Sequence, residues 1–483
     1  MQNNSFGKIV KVNGAKATIA VFFATVVNKV SVENFVLNYV SIGSLLGTKL
    51  VDGRTLVLTV EEIFDNKGEI QINTSISGIF DNVLHKFSFG TNSYPLVGEP
   101  VFKLNNEILV SIFAPNTYNA DAIIGTYIYN SDVGVGYNPD VLFGKHLGVY
   151  GNTGSGKTCT VVSIIQNYIR NNPGKDIKFI ILDVNGEYKS AFKDNEMEYY
   201  EFEKLRFNHT ILNNIEYGKL FRASEGIQYP ALRESIMTLA GQESKWDLNN
   251  LINEISSWIQ RNSNDNFSKN QLNGYLRTMS LRIDSILNDS VLMEVINSTN
   301  DKSTLDLINN SDKKVHILDL QVSSDSLDIV LYLFFKSLYQ YKTNNRNSTH
   351  INLVLEEAHR YINSNTEETK LGNYYIDKLS REGRKFGMGL IISSQVPSML
   401  SYEIVSQCNS VIMHKITSKR DMEFLKGVLR ISNDAFYMQM SALEKQHAIV
   451  CGEAFPNDSI VKLNDANPLP LSNDPVIEDI LLS

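Results

Sequence analysis

The sequence predicts an α/β fold built on a mostly parallel β-sheet, with a small all-β region before it and a helical segment inside it. Three observations carry that expectation. Near-continuous apolar runs alternate with helical stretches between about residues 120 and 456, as strands covered on both faces do. Short apolar runs broken by glycines fill roughly the first 110 residues. A polar stretch rich in Asn, Glu and Ser, residues 195–310, breaks the alternation and reads as helix.

The first region contains the runs Lys8–Val12, Ala17–Val27, Thr55–Glu61 and Val101–Lys103, punctuated by Gly14, Gly43, Gly53, Gly68, Gly78 and Gly98. Short strands with glycine turns suggest a small barrel or sandwich. Lys8, Lys11 and Lys16 ahead of Ala17–Val27 could mimic a secretory leader. Gly14 interrupts that pattern and no small-residue cleavage site follows, so a buried strand is the expectation. No segment is long and apolar enough to read as transmembrane, which places the protein in the cytoplasm.

In the second region the strands expected are His146–Tyr150, Lys178–Leu182, Val315–Leu320, Ile351–Leu355, Met388–Ser393, Ser410–His414 and His447–Cys451. Helices are expected at Cys159–Arg170 and Leu327–Tyr341. Within 195–310, Leu248, Leu251, Ile252, Ile255 and Ile259 form one amphipathic face. From about residue 457 the chain is acidic and rich in Asn and Pro, so an irregular tail is expected. The predicted organisation is therefore 1–115, an all-β unit; 120–194 with 311–456, the sheet domain; 195–310, a helical insertion; and 457–483, the tail.

Composition fits this plan. A chain of 483 residues exceeds the roughly 250–300 residues that one core supports. With 43% hydrophobic and 20% charged residues it reads as a globular protein. A net charge of −8 argues against a simple nucleic-acid coat, though not against a ring with a basic channel. The cysteines, Cys159, Cys408 and Cys451, are three and far apart, so neither a disulfide framework nor a zinc site is expected.

The chemistry is concentrated around one glycine loop. Gly151-Asn152-Thr153-Gly154-Ser155-Gly156-Lys157-Thr158 matches G-x-x-x-x-G-K-[ST] and lies between an apolar strand and a helix that opens at Cys159. Its glycines let the backbone approach phosphate oxygens, and the N–H groups and helix N-terminus face the anion. Lys157 is expected to reach the β- and γ-phosphates of ATP and Thr158 to hold Mg²⁺. Leu353-Val354-Leu355-Glu356-Glu357 ends a strand with two acids. Glu356 is expected to hold the metal through water, and Glu357 to polarise the attacking water.

Gln395, after the next strand, can hydrogen-bond both the γ-phosphate and that water. Glu187, in Asp183-Val184-Asn185-Gly186-Glu187-Tyr188, stands at the same sheet edge, where it either supports the metal site or merely closes a capped turn. In Arg381-Glu382-Gly383-Arg384-Lys385, Arg381 or Arg384 is expected to serve a neighbouring subunit's phosphoryl transfer. A solvated basic loop, or a contact to a nucleic-acid phosphate backbone, is the alternative. Arg420 is a weaker candidate for the same task.

Together these motifs resemble the HerA branch of the HerA–FtsK ATPases. The carrying segments are HLGVYGNTGSGKT (146–158), DVNGEY (183–188), VLEEAHRYI (354–362), SREGRKFGMGLIISSQVPSML (380–400) and VSQCNSVIMHKITSKRD (405–421). The resemblance covers about 120–460 strongly and about 1–115 through its β character. It implies a RecA-like P-loop core, an N-terminal β-barrel and a homo-oligomeric, hexameric ring that translocates double-stranded DNA. It also implies that 457–483 braces a neighbouring subunit, and that Lys145 stands where many members carry a nucleotide-site arginine. A partner effector, either a nuclease or a sirtuin-like NAD-hydrolase, is implied as well, in DNA repair or antiphage defence. Two departures stand out. Glu356 replaces the family's metal-holding Asp, and Val396 stands where an arginine is frequent.

Two other readings remain open at this level. The ring could be a scaffold that gates an effector without moving DNA, or the chain could be a P-loop kinase. Lys269, Arg277 and Arg282 in the insertion are channel candidates for DNA.

Overall fold

The computed structural model describes residues 5–22, 30–32, 35–37, 40–114, 121–242, 245–263, 268–297, 302–346, 348–360, 362, 373–429, 431 and 435–471. The expected run Ala17–Val27 ends outside them, as does the tail beyond residue 471.

The N-terminal strands are β1 (Ser5–Asn13), β2 (Lys16–Val21), β3 (Val30–Val32), β4 (Phe35–Leu37), β5 (Leu45–Lys49), β6 (Thr55–Asn66), β7 (Glu69–Asp81), β8 (Lys86–Phe89) and β9 (Pro100–Lys103). They run β2-β1-β9-β5-β6-β7, and β2 pairs again with β7. That second pairing closes a six-stranded antiparallel barrel, which removes the sheet edges. The barrel-or-sandwich alternative is settled in favour of the barrel. Closure needs long, bent strands: β6 and β7 carry register shifts at Val57/Leu58 and Val60/Glu62, the bulges that coil a sheet. Ile9, Ile19, Leu46, Leu58 and Ile72 fill the interior without exposure.

The first 110 residues are not wholly β. Helix α1 (Asn106–Phe113) follows the barrel, capped by Asn105, whose side chain accepts from the Ile108 N–H. Eight residues are too few for a helical period to stand out in sequence. Its buried Ile108, Leu109, Ile112 and Phe113 pack into the core of the second domain, so α1 joins the two.

The large sheet adds β10 (Ile123–Tyr127), β11 (Asn130–Gly136), β12 (His146–Tyr150), β13 (Ile177–Asp183), β14 (Met197–Tyr200), β15 (Val315–Asp319), β16 (His350–Leu355), β17 (Met388–Ser394), β18 (Cys408–Met413), β19 (His447–Gly452) and β20 (Ser459–Leu463). Their order is β11-β10-β20-β19-β18-β12-β17-β16-β13-β15-β14. From β18 to β14 every pairing is parallel, and the four remaining strands extend one side antiparallel. The strands β12, β13 and β17 are buried at every residue, because α2 (Pro139–Gly144), α3 (Lys157–Asn171) and the later helices cover both faces.

The insertion holds α4 (Asn214–Leu220), α5 (Gln228–Gln242), α6 (Asn250–Asn262), α7 (Lys269–Leu287), α8 (Ser290–Ile296) and α9 (Thr304–Asn310). Leu251, Ile255 and Ile259 are buried on α6. The expected helical stretch is not helical at its start, where β14 pairs parallel with β15 as the outermost strand. After it come α10 (Ser324–Asn344), α11 (Asn373–Glu382), α12 (Tyr402–Ser406), α13 (Lys419–Val428) and α14 (Ala435–Gln439). Glu216 of α4 accepts from Tyr332 (2.6 Å) and Tyr375 (3.3 Å) and pairs with Lys336, which ties the insertion to α10 and α11. The expected irregular tail begins instead with β20, paired on both sides.

Candidate active site

The glycine loop spans the gap between the carboxyl end of β12 and the start of α3. Gly154 and Gly156 have φ of +71° and +110°, values that favour glycine. A Cβ on Gly156 would also lie 1.9 Å from Oε1 of Gln446. Asn152 fixes the loop to the strand beyond: its N–H donates to the Lys415 carbonyl and its Nδ2 to Thr417 Oγ1, each at 2.8 Å. Lys157 is buried, and its Nζ donates back to the Asn152 carbonyl at 3.0 Å. Burial lowers the pKa of that amine, against the pull of Glu357, Glu187 and Glu356. A buried cation inside a backbone loop suits a multiply charged anion.

Three acids, Glu357, Glu187 and Glu356, pull on this cation, and Asp183 stands beside them. Thr158 Oγ1 donates to Glu187 Oε2 at 2.9 Å. Asp183, the last residue of β13, accepts from the N–H groups of Gly186 (2.7 Å), Glu187 (3.1 Å) and Tyr188 (3.0 Å), and so shapes the turn that carries Glu187. Glu356 is 3% exposed. Burial, then the charges of Asp183 and Glu187, raise its pKa well above the ordinary value. Glu187 is raised too, mainly by burial.

Glu357 has φ of +45°, a strained value for a residue with a side chain, costing about 1–3 kcal/mol. That turn aims its carboxylate at β17. Gln395 Nε2 donates to Glu357 Oε1, and Gln395 Oε1 accepts from Thr153 Oγ1 at 2.6 Å. His359 Nδ1 lies 3.3 Å from Glu357 Oε2 and 3.2 Å from Ser394 Oγ. The glycine loop, Gln395 and Glu357 thus form one continuous hydrogen-bonded chain.

The cavity here measures about 210 Å³, lined on one side by Thr153, Gly154, Gly156, Lys157, Thr158, Glu187, Glu357 and Gln395. Cys159, half-buried, completes that side. The opposite side comes from Lys445, Gln446, Asp465, Leu469 and Pro470. Sequence reasoning missed this wall, together with Asp183 as organiser of the Glu187 turn and His359 beside Glu357. Only His359, two residues after Glu357, carried a local signal.

The other expected residues stand elsewhere. Lys145 precedes β12, whose five residues span roughly 16 Å, so it lies at the other end of that strand from the glycine loop. Its amine pairs with Glu453. A contact between Lys145 and the nucleotide of its own subunit is therefore excluded by strand length. Arg381 ends α11 and pairs with Asp377 at 3.0 Å, and Arg384 donates to the Gln407 carbonyl at 3.2 Å. Both precede β17 and share the Lys145 edge. Arg420 is exposed at the start of α13, and Lys269 and Arg277 are exposed on α7. Arg282 donates to the Arg222 carbonyl at 2.7 Å, a bond that holds the end of α4 and gives this arginine a structural task.

A family profile described as "Helicase HerA, central domain" matches residues 122–339. The chain is 26% identical to the DNA double-strand break repair helicase HerA of Saccharolobus solfataricus, across 79% of this chain and 75% of the relative. It is 22% identical to a probable DNA double-strand break repair helicase HerA of Methanocaldococcus jannaschii, across 91% and 94%. VirB4 of Thermoanaerobacter pseudethanolicus shares the fold, with a TM-score of 0.53 at 13% identity over 71% of this chain and 96% of VirB4. With a complete glycine loop, acids at the ends of β13 and β16, and a barrel ahead of a largely parallel sheet, the chain is a P-loop ATPase similar to the HerA helicases.

Proposed function

We propose that this ATPase works as a homo-oligomeric ring, a hexamer by family resemblance, which moves or remodels double-stranded DNA for a nuclease or NAD-hydrolase effector. The observation that carries the motor reading is the chain Thr153–Gln395–Glu357. It links the phosphate loop to the end of β17, so loss of a γ-phosphate would be felt directly by that strand. Lys157 binds the β- and γ-phosphates, Glu357 orients and polarises water, and Gln395 senses the γ-phosphate. Arg381 or Arg384 completes a neighbour's site.

Mg²⁺ fits the remaining groups. Among the described residues no set of three or more His, Cys, Asp or Glu could hold a metal by itself. Mg²⁺ normally combines one or two carboxylates with phosphate oxygens and water. Thr158 and Glu356 would hold it, with Glu187 beside them. When bound, the ion neutralises charge on the phosphates. Action on DNA is supported by the names of the HerA relatives, which are DNA double-strand break repair helicases, and double-stranded DNA as the track rests on family resemblance. The effector and a setting in antiphage defence rest on analogy with the family.

A scaffold reading has one observation in its favour. Val83, Leu84, Leu96 and Val97 on the barrel unit are 55–85% exposed, a partner-like feature. The two separate in one experiment. ATP hydrolysis should rise with double-stranded DNA and fall about 10²–10⁴-fold in Glu357→Gln, as loss of a general base does. Lys157→Ala should abolish the response. A ring whose hydrolysis ignores DNA, and whose Glu357→Gln form still activates its effector, would sink the motor reading in favour of the scaffold.

A further inference from the structure

The wall opposite the phosphate loop is built by a strap that follows β20, residues 464–471. Family resemblance assigns this tail to a neighbouring subunit, yet several polar groups of its described part bond to α3 and to residues 187–190 of its own chain. The Ala466 N–H points at Cys159 Sγ (3.4 Å), and the Asn467 N–H donates to Gln166 Oε1 (2.7 Å). Gln166 Nε2 donates back to the Pro468 carbonyl (2.9 Å), and Arg170 Nη1 to the Asn467 carbonyl (2.6 Å). Ser190 Oγ donates to the Leu469 carbonyl (3.2 Å), and the Leu471 N–H to the Glu187 carbonyl (2.9 Å). Gln446 locks the strap's start: its N–H donates to the Ser155 carbonyl and its Nε2 to Asp465 Oδ1, each at 3.2 Å.

Three features of this wall point to a ligand. Gln446 adopts φ of +61°, a strained state that presents its side chain to Gly156. Among the described residues its Oε1 is buried without a hydrogen-bond partner. Leu469 is 58% exposed although its backbone is pinned, so an apolar side chain is held rigidly at the mouth of a polar cavity.

We infer that the strap is the nucleoside-binding wall of the ATP site, with Leu469 and Pro470 covering the base and Asp465 and Gln446 supplying polar contacts to the ribose side. The phosphate loop holds one end of the nucleotide and the strap the other, within a single subunit. A carboxylate and a carboxamide oxygen accept from hydroxyl and amino groups, and the carboxylate would repel a phosphate. Covering a base face with apolar side chains removes both from water. This inference rests on the P-loop binding ATP.

The test compares Mg²⁺-ATP with Mg²⁺-tripolyphosphate, which has the phosphates but no nucleoside, by calorimetry on the full chain. Leu469→Ser changes an exposed side chain and should leave the melting temperature in place. The expected result is about tenfold weaker ATP binding, equivalent to about 1.4 kcal/mol, with tripolyphosphate binding unchanged. Asp465→Asn should act in the same direction. Lys157→Ala, which must weaken both ligands, monitors the phosphate half separately. Equal weakening of ATP and tripolyphosphate by Leu469→Ser, or no change in either, overturns the assignment.

Discussion

At the carboxyl ends of β12, β16 and β17 the functional side chains are buried and bonded to one another. At the amino ends of β12 and β17 the cations are more open, as Lys145 paired with Glu453 and Arg381 paired with Asp377 are. Glu357 keeps 8% of its side-chain surface and His359 keeps 19%, whereas Arg381 keeps 55% and Lys145 keeps 32%. The first edge spends strain and desolvation to fix geometry in advance, as a site acting on charge must. The second holds cations that can leave their partners at little cost, since exposed pairs contribute only about 0–1 kcal/mol. The contrast fits a ring in which one subunit's open edge meets the next subunit's organised edge.

The largest effect should come from breaking that meeting. Rings of the Arg381→Ala/Arg384→Ala variant should bind ATP normally and lose hydrolysis about 10³-fold or more, the scale of an arginine supplied in trans. Mixing them with Lys157→Ala subunits should restore part of the rate, because some interfaces then pair an intact loop with intact arginines. Full activity in the double variant would show that the open edge plays no part in the chemistry.

How much of this contrast was legible in sequence follows from physical demands. Phosphate binding requires glycines at fixed spacing, so Gly151–Thr158 announced itself. Strands buried on both faces read as apolar runs, so β12, β13, β16 and β17 did too. The strand β14, Met-Glu-Tyr-Tyr, lies at the sheet edge with one buried residue, and nothing in its composition separates it from the polar insertion. The strap has no periodicity, since its order comes from hydrogen bonds to α3, three hundred residues away in sequence. Lys145 shows a related limit: chain proximity to the loop is not spatial proximity within one subunit when a whole strand intervenes.

A smaller effect concerns the sheet beneath both edges. Burial lowers the pKa of His146, under the open edge, to about 4, and that of His414, under the glycine loop, to about 3. His209 and His316 are likewise lowered to about 4. A lowered histidine pKa means the unfolded chain binds the proton first. Stability is therefore full above the unfolded value near 6.5 and falls as pH drops towards 4, by up to about 1.4 kcal/mol per pH unit for each group. Thermal melts from pH 7.5 to pH 5 should decline steeply, and a substitution at His316 that cannot ionise should flatten the slope. A flat profile would mean that these histidines reach water, and with them the base of both edges.

The smallest effect should be that of Lys145→Ala, and it sharpens the comparison most finely. Among the described residues its amine pairs with Glu453, which also accepts from Asn409 Nδ2 at 2.6 Å. Losing the lysine leaves Glu453 with that bond and with solvent, so stability should change by no more than about 1 kcal/mol. Strand length keeps Lys145 from its own nucleotide, so ATP affinity measured on isolated subunits should not move. Hydrolysis by the assembled ring is where a difference could arise. A fall there with unchanged binding in the isolated subunit would add Lys145 to the groups that one subunit offers the next. Weaker binding in the isolated subunit would instead contradict the separation of the two edges by β12.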